Sequence, residues 1–213
     1  MLAPEPRQRL DQFDAKVGLD RGVSRPVEIL WYLLKCLFFL SPLPWPNALK
    51  RFILRTFGAK LGEGIVIKPR VNIHFPWKLT IGDHCWIGEE VFILNFEPIQ
   101  LGNNVCLSQR SFLCGGNHDF RDPTFSYRNG PITIHDGAWV GAQCFVGPNV
   151  AIEQYAVIVA GSVVTSDLPG SMICRGNPCQ AIKPRWPNRQ RPDDHHDLTS
   201  DTARLTCPNE IPQ

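Results

Sequence analysis

An aliphatic residue returns at every sixth position along the second half of the chain, from residue 134 to residue 164. A six-residue step matches neither the 3.6-residue period of a helix nor the alternation of a strand, so it predicts a stacked solenoid. The aliphatic positions are Ile134, Val140, Val146, Ile152, Ile158 and Val164. Four positions after each comes a small or slender residue: Ala138, Cys144, Val150, Ala156, Ser162 and, less closely, Leu168. We expect the aliphatic residues to fill a prism and the small residues to let the chain turn its corners.

The same phase extends towards the N-terminus with wider coils. Its aliphatic positions are Leu61, Ile67, Ile73, Ile81, Ile87, Ile93, Leu101, Leu107 and Leu113. The coil starts at residues 61, 81 and 101 are twenty residues apart, which is three hexads plus two residues. We expect each extra pair to bulge at a corner. About five coils fit between residues 61 and 169, and at roughly 4.8 Å per coil they stack to about 24 Å.

Composition narrows the class of protein. With 213 residues, 43% of them apolar, the chain can bury the core of one β-helix domain with extensions. A net charge of +2 argues against a nucleic-acid partner. The eight cysteines form no CxxC pair, which favours reduced thiols in a cytoplasmic protein over disulfides or a zinc site. The first 23 residues are polar and charged, unlike a secretory signal.

Residues 1–60 are predicted to form a helical N-terminal extension. The apolar run from Val27 to Leu40 would cover about 21 Å as a helix, less than the roughly 30 Å of a bilayer core. A second helix is predicted from Asn47, as its N-cap, to Gly58, with Leu49, Phe52, Ile53 and Phe57 on one face. The segment holds ten Lys and Arg against five Asp and Glu. The helices either cap the open end of the solenoid or also rest on an anionic membrane surface.

A polar insertion interrupts the repeat at residues 115–131, and we expect function there because such a loop adds nothing to solenoid stability. It begins Gly-Gly-Asn-His-Asp. His118 is the candidate general base, since imidazole titrates near neutrality. Asp119 is the candidate partner that orients its ring. The alternative is an ordinary loop histidine beside a loop-capping aspartate.

Several motifs resemble those of a known family. The loop GGNHDFRDPTF and the closing RGNPCQAIKPR are similar to those of hexapeptide-repeat O-acetyltransferases. The stretches LKRFILRTFGAKLG, PWKLTIGDHCWIG and LSQRSFLCGGNHDF resemble the colanic-acid-type, or exopolysaccharide, branch. The resemblance spans residues 25–185. Two departures are Cys179, where the family usually has alanine, and Ala142, which often has a serine counterpart.

The resemblance implies a mainly β fold, a left-handed parallel β-helix over residues 61–185, and a homotrimer with its active sites between subunits. It implies acetyl-coenzyme A (acetyl-CoA) as acetyl donor, no metal, and His118 as general base. The positions matching its cofactor site are Trp139, Ala142, Ala160, Gly161, Ser162 and Thr165 for pantetheine, and Arg175, Lys183 and Arg185 for the phosphates. Asn95 and Asn117 are the candidate acceptor contacts.

Simpler interpretations exist for several of these residues. Trp139 shares its outward slot with other aromatic residues that suit a subunit interface, namely Trp86, Phe92, Phe112 and Phe145. The C-terminal cations suit a solvated face, and Asn95 suits a corner.

The predicted function is transfer of an acetyl group to a sugar hydroxyl, on a saccharide or lipid-linked precursor of a surface polysaccharide. Alternatives are acetylation of a small acceptor such as serine or a free sugar, and a non-catalytic scaffold. A β-helical carbonic anhydrase is disfavoured. It would need three converging histidines, and the histidine spacings in this sequence do not supply them beside His118. We expect a cytoplasmic location, with peripheral contact at the inner face of the membrane left open. Residues 186–213 are rich in Pro, Asp and Asn and are predicted to be a disordered tail.

Overall fold

A computed structural model describes residues 8–187. It is a parallel β-solenoid of five complete coils and part of a sixth, preceded by two helices. Helix α1 covers Arg25–Phe38 and α2 covers Asn47–Thr56, with short 3₁₀ turns at Leu10–Gln12 and Pro76–Lys78. The predicted mainly β solenoid is therefore confirmed.

Each complete coil contributes three short strands. The first coil holds β1 (Lys60–Leu61), β2 (Val66–Ile67) and β3 (Asn72–Ile73). The second holds β4 (Leu79–Ile81), β5 (Trp86–Ile87) and β6 (Phe92–Leu94), and the third β7 (Ile99–Leu101), β8 (Cys106–Leu107) and β9 (Phe112–Cys114). The fourth holds β10 (Ile132–Ile134), β11 (Trp139–Val140) and β12 (Phe145–Val146), and the fifth β13 (Val150–Ile152), β14 (Val157–Ile158) and β15 (Val163–Val164). A closing hairpin of β16 (Met172–Gly176) and β17 (Cys179–Pro184) follows.

The strands stack into three sheets, which form the faces of a triangular prism. The first face has the order β1-β4-β7-β10-β13, and the third has β15-β12-β9-β6-β3. The second face has the order β17-β16-β14-β11-β8-β5-β2, in which only the β16–β17 pair is antiparallel. Equivalent aliphatic residues pair from coil to coil, as in the register Ile81↔Leu101↔Ile134.

Two residues of each hexad point into the core. The predicted aliphatic positions from Ile67 to Val164 are all buried, and Leu61 at the open end is half-buried. The small residues four positions later are also buried, from Ala138 to Leu168. They therefore fill the prism as well as accommodate its corners.

The two extra residues of the wide coils lie at the third corner, between the third and first faces. Five residues separate β3 from β4 there, against three between β12 and β13. The polar insertion leaves from this same corner, between β9 and β10. The corner that tolerates small bulges thus also carries the loop with the candidate site.

The helices cap the open end of the first coil. Their side chains join the solenoid core at Trp31, Phe39, Ile53 and Leu54. Polar side chains of the helices hydrogen-bond backbone atoms of the first coil that a preceding coil would otherwise satisfy. The donors are Trp31 Nε1 to Ile73 O and His74 O, Lys50 Nζ to Ile67 O and Lys68 O, Arg51 to Ile65 O, and Arg55 to Leu61 O and Gly62 O. Asn47 Oδ1 accepts from Ile67 N. An exposed sheet edge can pair with another chain. The helical cap covers the edge of the first coil and so prevents such pairing.

These contacts correct three expectations about the helices. Asn47 is not the N-cap of α2, since Pro46 holds that position and the Asn47 amide serves the first coil. Phe52 does not join the buried face of α2 but is exposed. The cations of residues 50–60 are not free for lipid, because three of the four bond backbone carbonyls.

Helix α1 turns Trp31 and Lys35 towards the solenoid and leaves an aliphatic side outward. Lys35 is buried and Glu28 is half-buried, while Ile29, Leu30, Leu33 and Leu37 are exposed. No helix within residues 8–187 combines the length and apolar character needed to cross a bilayer.

Most of the predicted disordered tail, residues 188–213, lies outside the described residues. Trp186, which the prediction assigned to the tail, is packed: its ring contacts the Arg185 guanidinium at 4.5 Å and the Tyr155 ring at 5.8 Å.

Candidate active site

The polar insertion folds back on itself as a small hairpin. His118 and Tyr127 form an antiparallel bridge. Asp119 N donates to Ser126 O and Arg128 N donates to Asn117 O, both at 2.8 Å. These backbone bonds hold His118 near the base of the loop.

The ring of His118 has a defined orientation. Its Nδ1 lies 2.7 Å from the backbone carbonyl oxygen of Phe125. A carbonyl only accepts, so Nδ1 carries the proton and Nε2 keeps its lone pair. The ring also stacks on Phe125 at 4.2 Å between centroids and on Tyr127 at 4.9 Å. Nε2 has no hydrogen-bond partner among residues 8–187. This is the arrangement that a general base requires.

Asp119 does not orient His118, contrary to the prediction. Its Oδ1 accepts from Arg121 N at 2.9 Å and so braces the loop backbone. Asp122 has a similar structural role, because bonds from Ser126 and Thr124 hold the pKa of its carboxyl down at about 2. The orienting partner is the Phe125 carbonyl, which a search for acidic side chains cannot find.

The two candidate acceptor contacts, Asn95 and Asn117, differ in whether a ligand can reach their side chains. Asn95 is completely buried, and its amide accepts from Phe75 N and donates to Phe75 O. It therefore cannot contact an acceptor, and its assignment to the acceptor site is wrong. Asn117 is exposed and uses only Oδ1 locally, accepting from His118 N.

An N-terminal segment, residues 9–22, lies along the loop. We call it the strap. Arg9 N donates to Pro123 O at 2.6 Å, and the Phe13 ring lies 5.3 Å from both the His118 and Tyr127 rings. Sequence reasoning missed the strap, because its polar composition carries no periodic signal.

The candidate pantetheine residues line a different part of the prism. Trp139 projects from the second face, is 47% exposed, and donates from Nε1 to Ser108 Oγ at 2.9 Å. Ala142 and Ala160 lie at the second corner in adjacent coils, and their backbone N–H groups have no partner within the described residues. Gly141 allows this close stacking, since a Cβ there would meet Ala160 N at 2.6 Å.

The remaining candidates divide by exposure. Gly161 is exposed at the second corner, and Thr165 is exposed just after β15, where the third corner begins. Ser162 is buried, and its hydroxyl donates to Val159 O and accepts from Gly176 N. The Ser162 side chain is therefore not available to a ligand.

The three C-terminal cations also differ. Arg175 and Lys183 lie exposed on the β16–β17 hairpin. Arg185 is half-buried, with Nη1 donating to Gly137 O and Tyr155 O. Part of its donor capacity is therefore already used inside the chain.

Sequence comparison places the chain in a family. Residues 131–166 match the model of bacterial transferase hexapeptide (six repeats), and residues 78–108 that of the hexapeptide repeat of succinyl-transferase. A putative colanic acid biosynthesis acetyltransferase, WcaF of Escherichia coli K12, is 37% identical over 181 residues, which cover 84% of this chain and 97% of that protein. The chain belongs to the hexapeptide-repeat acetyltransferases. The galactoside O-acetyltransferase of the same organism is 27% identical, over 62% of this acetyltransferase and 66% of its own length.

Solved structures agree with the fold of this acetyltransferase. A hexapeptide-repeat acetyltransferase from Vibrio cholerae, complexed with acetyl-CoA, superposes with a TM-score of 0.68 at 24% identity, covering 76% of this chain and 91% of its own. A galactoside acetyltransferase in complex with coenzyme A gives 0.64 at 22% identity, covering 84% and 89%.

The acetyltransferase fold does not bring all candidate residues together within one chain. His118 extends from the third corner, and Trp139 lies on the second face, which is the face opposite that corner in a triangular prism. Ala142 lies at the second corner, across the third face from the loop. One chain therefore presents the candidate base and the candidate pantetheine groove on different sides.

Proposed function

We propose that this acetyltransferase transfers the acetyl group of acetyl-CoA to a hydroxyl of a saccharide, as a step in making an exopolysaccharide. The single observation that carries the chemistry is His118, held through Nδ1 with a free Nε2 on the polar loop. The acceptor class is supported by the names of the relatives, which are a colanic acid biosynthesis acetyltransferase and galactoside O-acetyltransferases.

The reaction follows from the free Nε2. It takes the proton of the sugar hydroxyl while the hydroxyl oxygen attacks the thioester carbonyl, forming a tetrahedral intermediate. Backbone N–H groups stabilise the resulting oxyanion. The carbon–sulfur bond then breaks, and Nε2 returns its proton to the departing coenzyme A sulfur. The Phe125 carbonyl stabilises the imidazolium between the two steps.

A covalent acyl-cysteine intermediate is not part of this proposal. Cys114 is the thiol nearest to the loop, and it donates to Gly116 O at 3.1 Å. Burial raises the pKa of the Cys114 thiol, which lowers the fraction of thiolate available for attack.

We assign the donor to the second corner and the last coils. The unpartnered N–H groups of Ala142 and Ala160 suit the amide carbonyls of a pantetheine arm, and Trp139 suits its apolar side. Arg175 and Lys183 are exposed cations for the phosphates, with Arg185 beside them.

We further propose a homotrimer in which His118 of one copy faces the donor groove of the next. Two faces of the prism carry outward aromatic residues: Trp86 and Trp139 on the second, and Phe92, Phe112 and Phe145 on the third. Phe92 and Phe112 stack at 4.7 Å. The first face presents Thr80, Gln100 and Thr133 instead. Packing of prism against prism would cover the apolar faces and complete the site.

We also propose that the protein works at the cytoplasmic side of a membrane and touches it through α1. The support is the exposed apolar stripe of Ile29, Leu30, Leu33 and Leu37, with Leu43 just beyond it. The buried side of α1 caps the solenoid, so the cap and the membrane contact use opposite sides of one helix.

The function is tested by His118→Ala. Loss of the general base should lower kcat about 10²- to 10⁴-fold, without changing the circular dichroism spectrum or the sedimentation coefficient. The assay follows release of free thiol from acetyl-CoA with a panel of oligosaccharides, free sugars and serine. His135→Gln is the matched control, because His135 lies at the first corner, just after β10, beside Glu153. More than half of wild-type turnover in His118→Ala would overturn the assignment.

The shared site has a complementation test. His118→Ala and Trp139→Ala chains are unfolded together and refolded as a mixture. If each site uses groups from two copies, mixed trimers should recover activity that neither variant shows alone. No recovery would indicate that each chain holds a complete site.

A further inference from the structure

The strap, residues 9–22, connects the solenoid cap to the loop that carries His118. At its C-terminal end, Trp77 Nε1 donates to Arg21 O at 2.7 Å, and Lys78 Nζ bonds both Asp20 O and Phe96 O. At its N-terminal end, Arg9 N donates to Pro123 O. Both ends are thus held by backbone contacts that do not involve the middle of the strap.

Phe13 is the strap residue that reaches the candidate base. Its ring meets His118 edge-on, with an interplanar angle of 70°, and meets Tyr127 at 75°. Most neighbouring strap side chains are exposed, from Asp14 to Val17, whereas Phe13 is half-buried. The Phe13 ring therefore packs against the His118–Tyr127 stack and against no other described ring.

The His118 ring depends on such a contact. The Phe125 carbonyl fixes one ring nitrogen, but it belongs to the same loop and moves with it. Residues 119–126 include several exposed positions and take no part in the solenoid ladder. A contact from outside the loop restricts rotation of the imidazole, and a displacement of about 1 Å can cost two orders of magnitude in rate.

We propose that Phe13 is a positioning residue for His118, so that the strap is part of the active site. This inference rests on the proposed function, because it assumes that His118 is the base. Phe13 does not touch the reacting atoms. It holds the imidazole with Nδ1 on the Phe125 carbonyl and Nε2 free.

The test is Phe13→Ala, with Val17→Ala as the matched control. Val17 belongs to the same strap, but its side chain is 66% exposed. Phe13→Ala should lower kcat about tenfold or more, while the KM for acetyl-CoA stays within about twofold because the donor groove is elsewhere. Val17→Ala should leave both unchanged, and Phe13→Tyr, which keeps the aromatic ring, should recover most of kcat.

A spectroscopic measurement separates positioning from general damage. In ¹⁵N-histidine spectra, the His118 signals are assigned by their loss in His118→Ala. The wild-type protein should show His118 as the Nδ1–H tautomer, and Phe13→Ala should shift it towards a mixture of tautomers. An unchanged tautomer together with unchanged kcat would overturn the inference.

The experiments distinguish an error about His118 as the general base from an error about Phe13 as its positioning residue. If His118→Ala keeps its activity, the proposed base is wrong whatever Phe13 does. If His118→Ala is inactive and Phe13→Ala is as active as Val17→Ala, only the positioning role is wrong. A fall in kcat that Phe13→Tyr does not recover, with an unchanged tautomer, would also reject positioning.

Discussion

Two histidines at the third corner show how surroundings decide the role of one residue type. His118 has a carbonyl on Nδ1 and a free Nε2. His74 packs against the rings of Phe75 at 4.4 Å and Phe96 at 5.0 Å. Burial, with smaller contributions from Lys35 and Arg21, lowers the pKa of His74 to about 4. His74 is therefore neutral in the folded protein at neutral pH and suits packing better than acid–base chemistry.

The half-buried His74 should make the fold sensitive to acid. Its pKa lies below the ordinary 6.5, so the unfolded chain binds this proton first. Its contribution to stability is complete above about pH 6.5 and is lost as the pH falls towards 4. We predict that His74→Phe, which keeps an aromatic ring, loses less stability between pH 7 and pH 5 than the wild type. Urea unfolding at both pH values measures this, and an equal loss in the two proteins would contradict it.

At the scale of elements, α2 shows that a basic helix need not be a nucleic-acid or lipid surface. Its cations face the first coil and bond backbone carbonyls there. Lys50 is the most buried of them, and burial lowers the pKa of its ammonium. The solenoid has to end somewhere, and these side chains replace the coil that is missing.

Removing the Lys50 ammonium should weaken this cap. We predict that Lys50→Met, which keeps the apolar stem, lowers the free energy of unfolding by about 1–3 kcal/mol, since two carbonyls lose their donor. Lys60→Met is the control, because Lys60 is exposed. Both are compared with the wild type by urea unfolding at one protein concentration, because the proposed trimer would make stability depend on concentration. Equal stability of the two variants would show that the Lys50 bonds contribute nothing.

At the scale of the whole molecule, two apolar surfaces of the described residues are large enough to suit partners. The second and third faces carry rows of aromatic residues, which suit contact between prisms. The outer side of α1 is at the capped end, away from those rows, and is aliphatic. Two separate apolar surfaces favour two separate partners, and we assign the faces to other copies of the chain and α1 to lipid.

The membrane assignment predicts a mainly hydrophobic attachment. Wild-type protein should co-sediment with liposomes, and Leu33→Ser with Leu37→Ser should reduce the bound fraction several-fold without changing turnover on a soluble acceptor. Ile182→Ser is the control, an exposed aliphatic residue at the opposite end of the solenoid. Because Lys50, Arg51 and Arg55 bond carbonyls, raised salt should weaken binding only slightly. Absence of binding to both anionic and neutral liposomes would leave α1 as a cap alone.

The sequence by itself determined the solenoid, its inward residues and the place of the polar loop. The reason is that a six-residue period repeats the same local geometry in each coil, so burial of one hexad predicts burial of the next. It also located His118, because a polar interruption stands out against a regular repeat. The wide coils were visible in the same way, as two residues added at one corner.

The tertiary structure alone decided the partners of individual atoms. Asp119 was the nearest acid in sequence, yet the His118 ring faces a carbonyl seven residues away. Asn95 was predicted to contact the acceptor, yet it is buried against Phe75. Phe13 and His118 are more than a hundred positions apart, with no shared period. The sequence also could not predict which side of α1 is exposed. A helix pattern shows which residues share a face, but not which face the rest of the molecule covers.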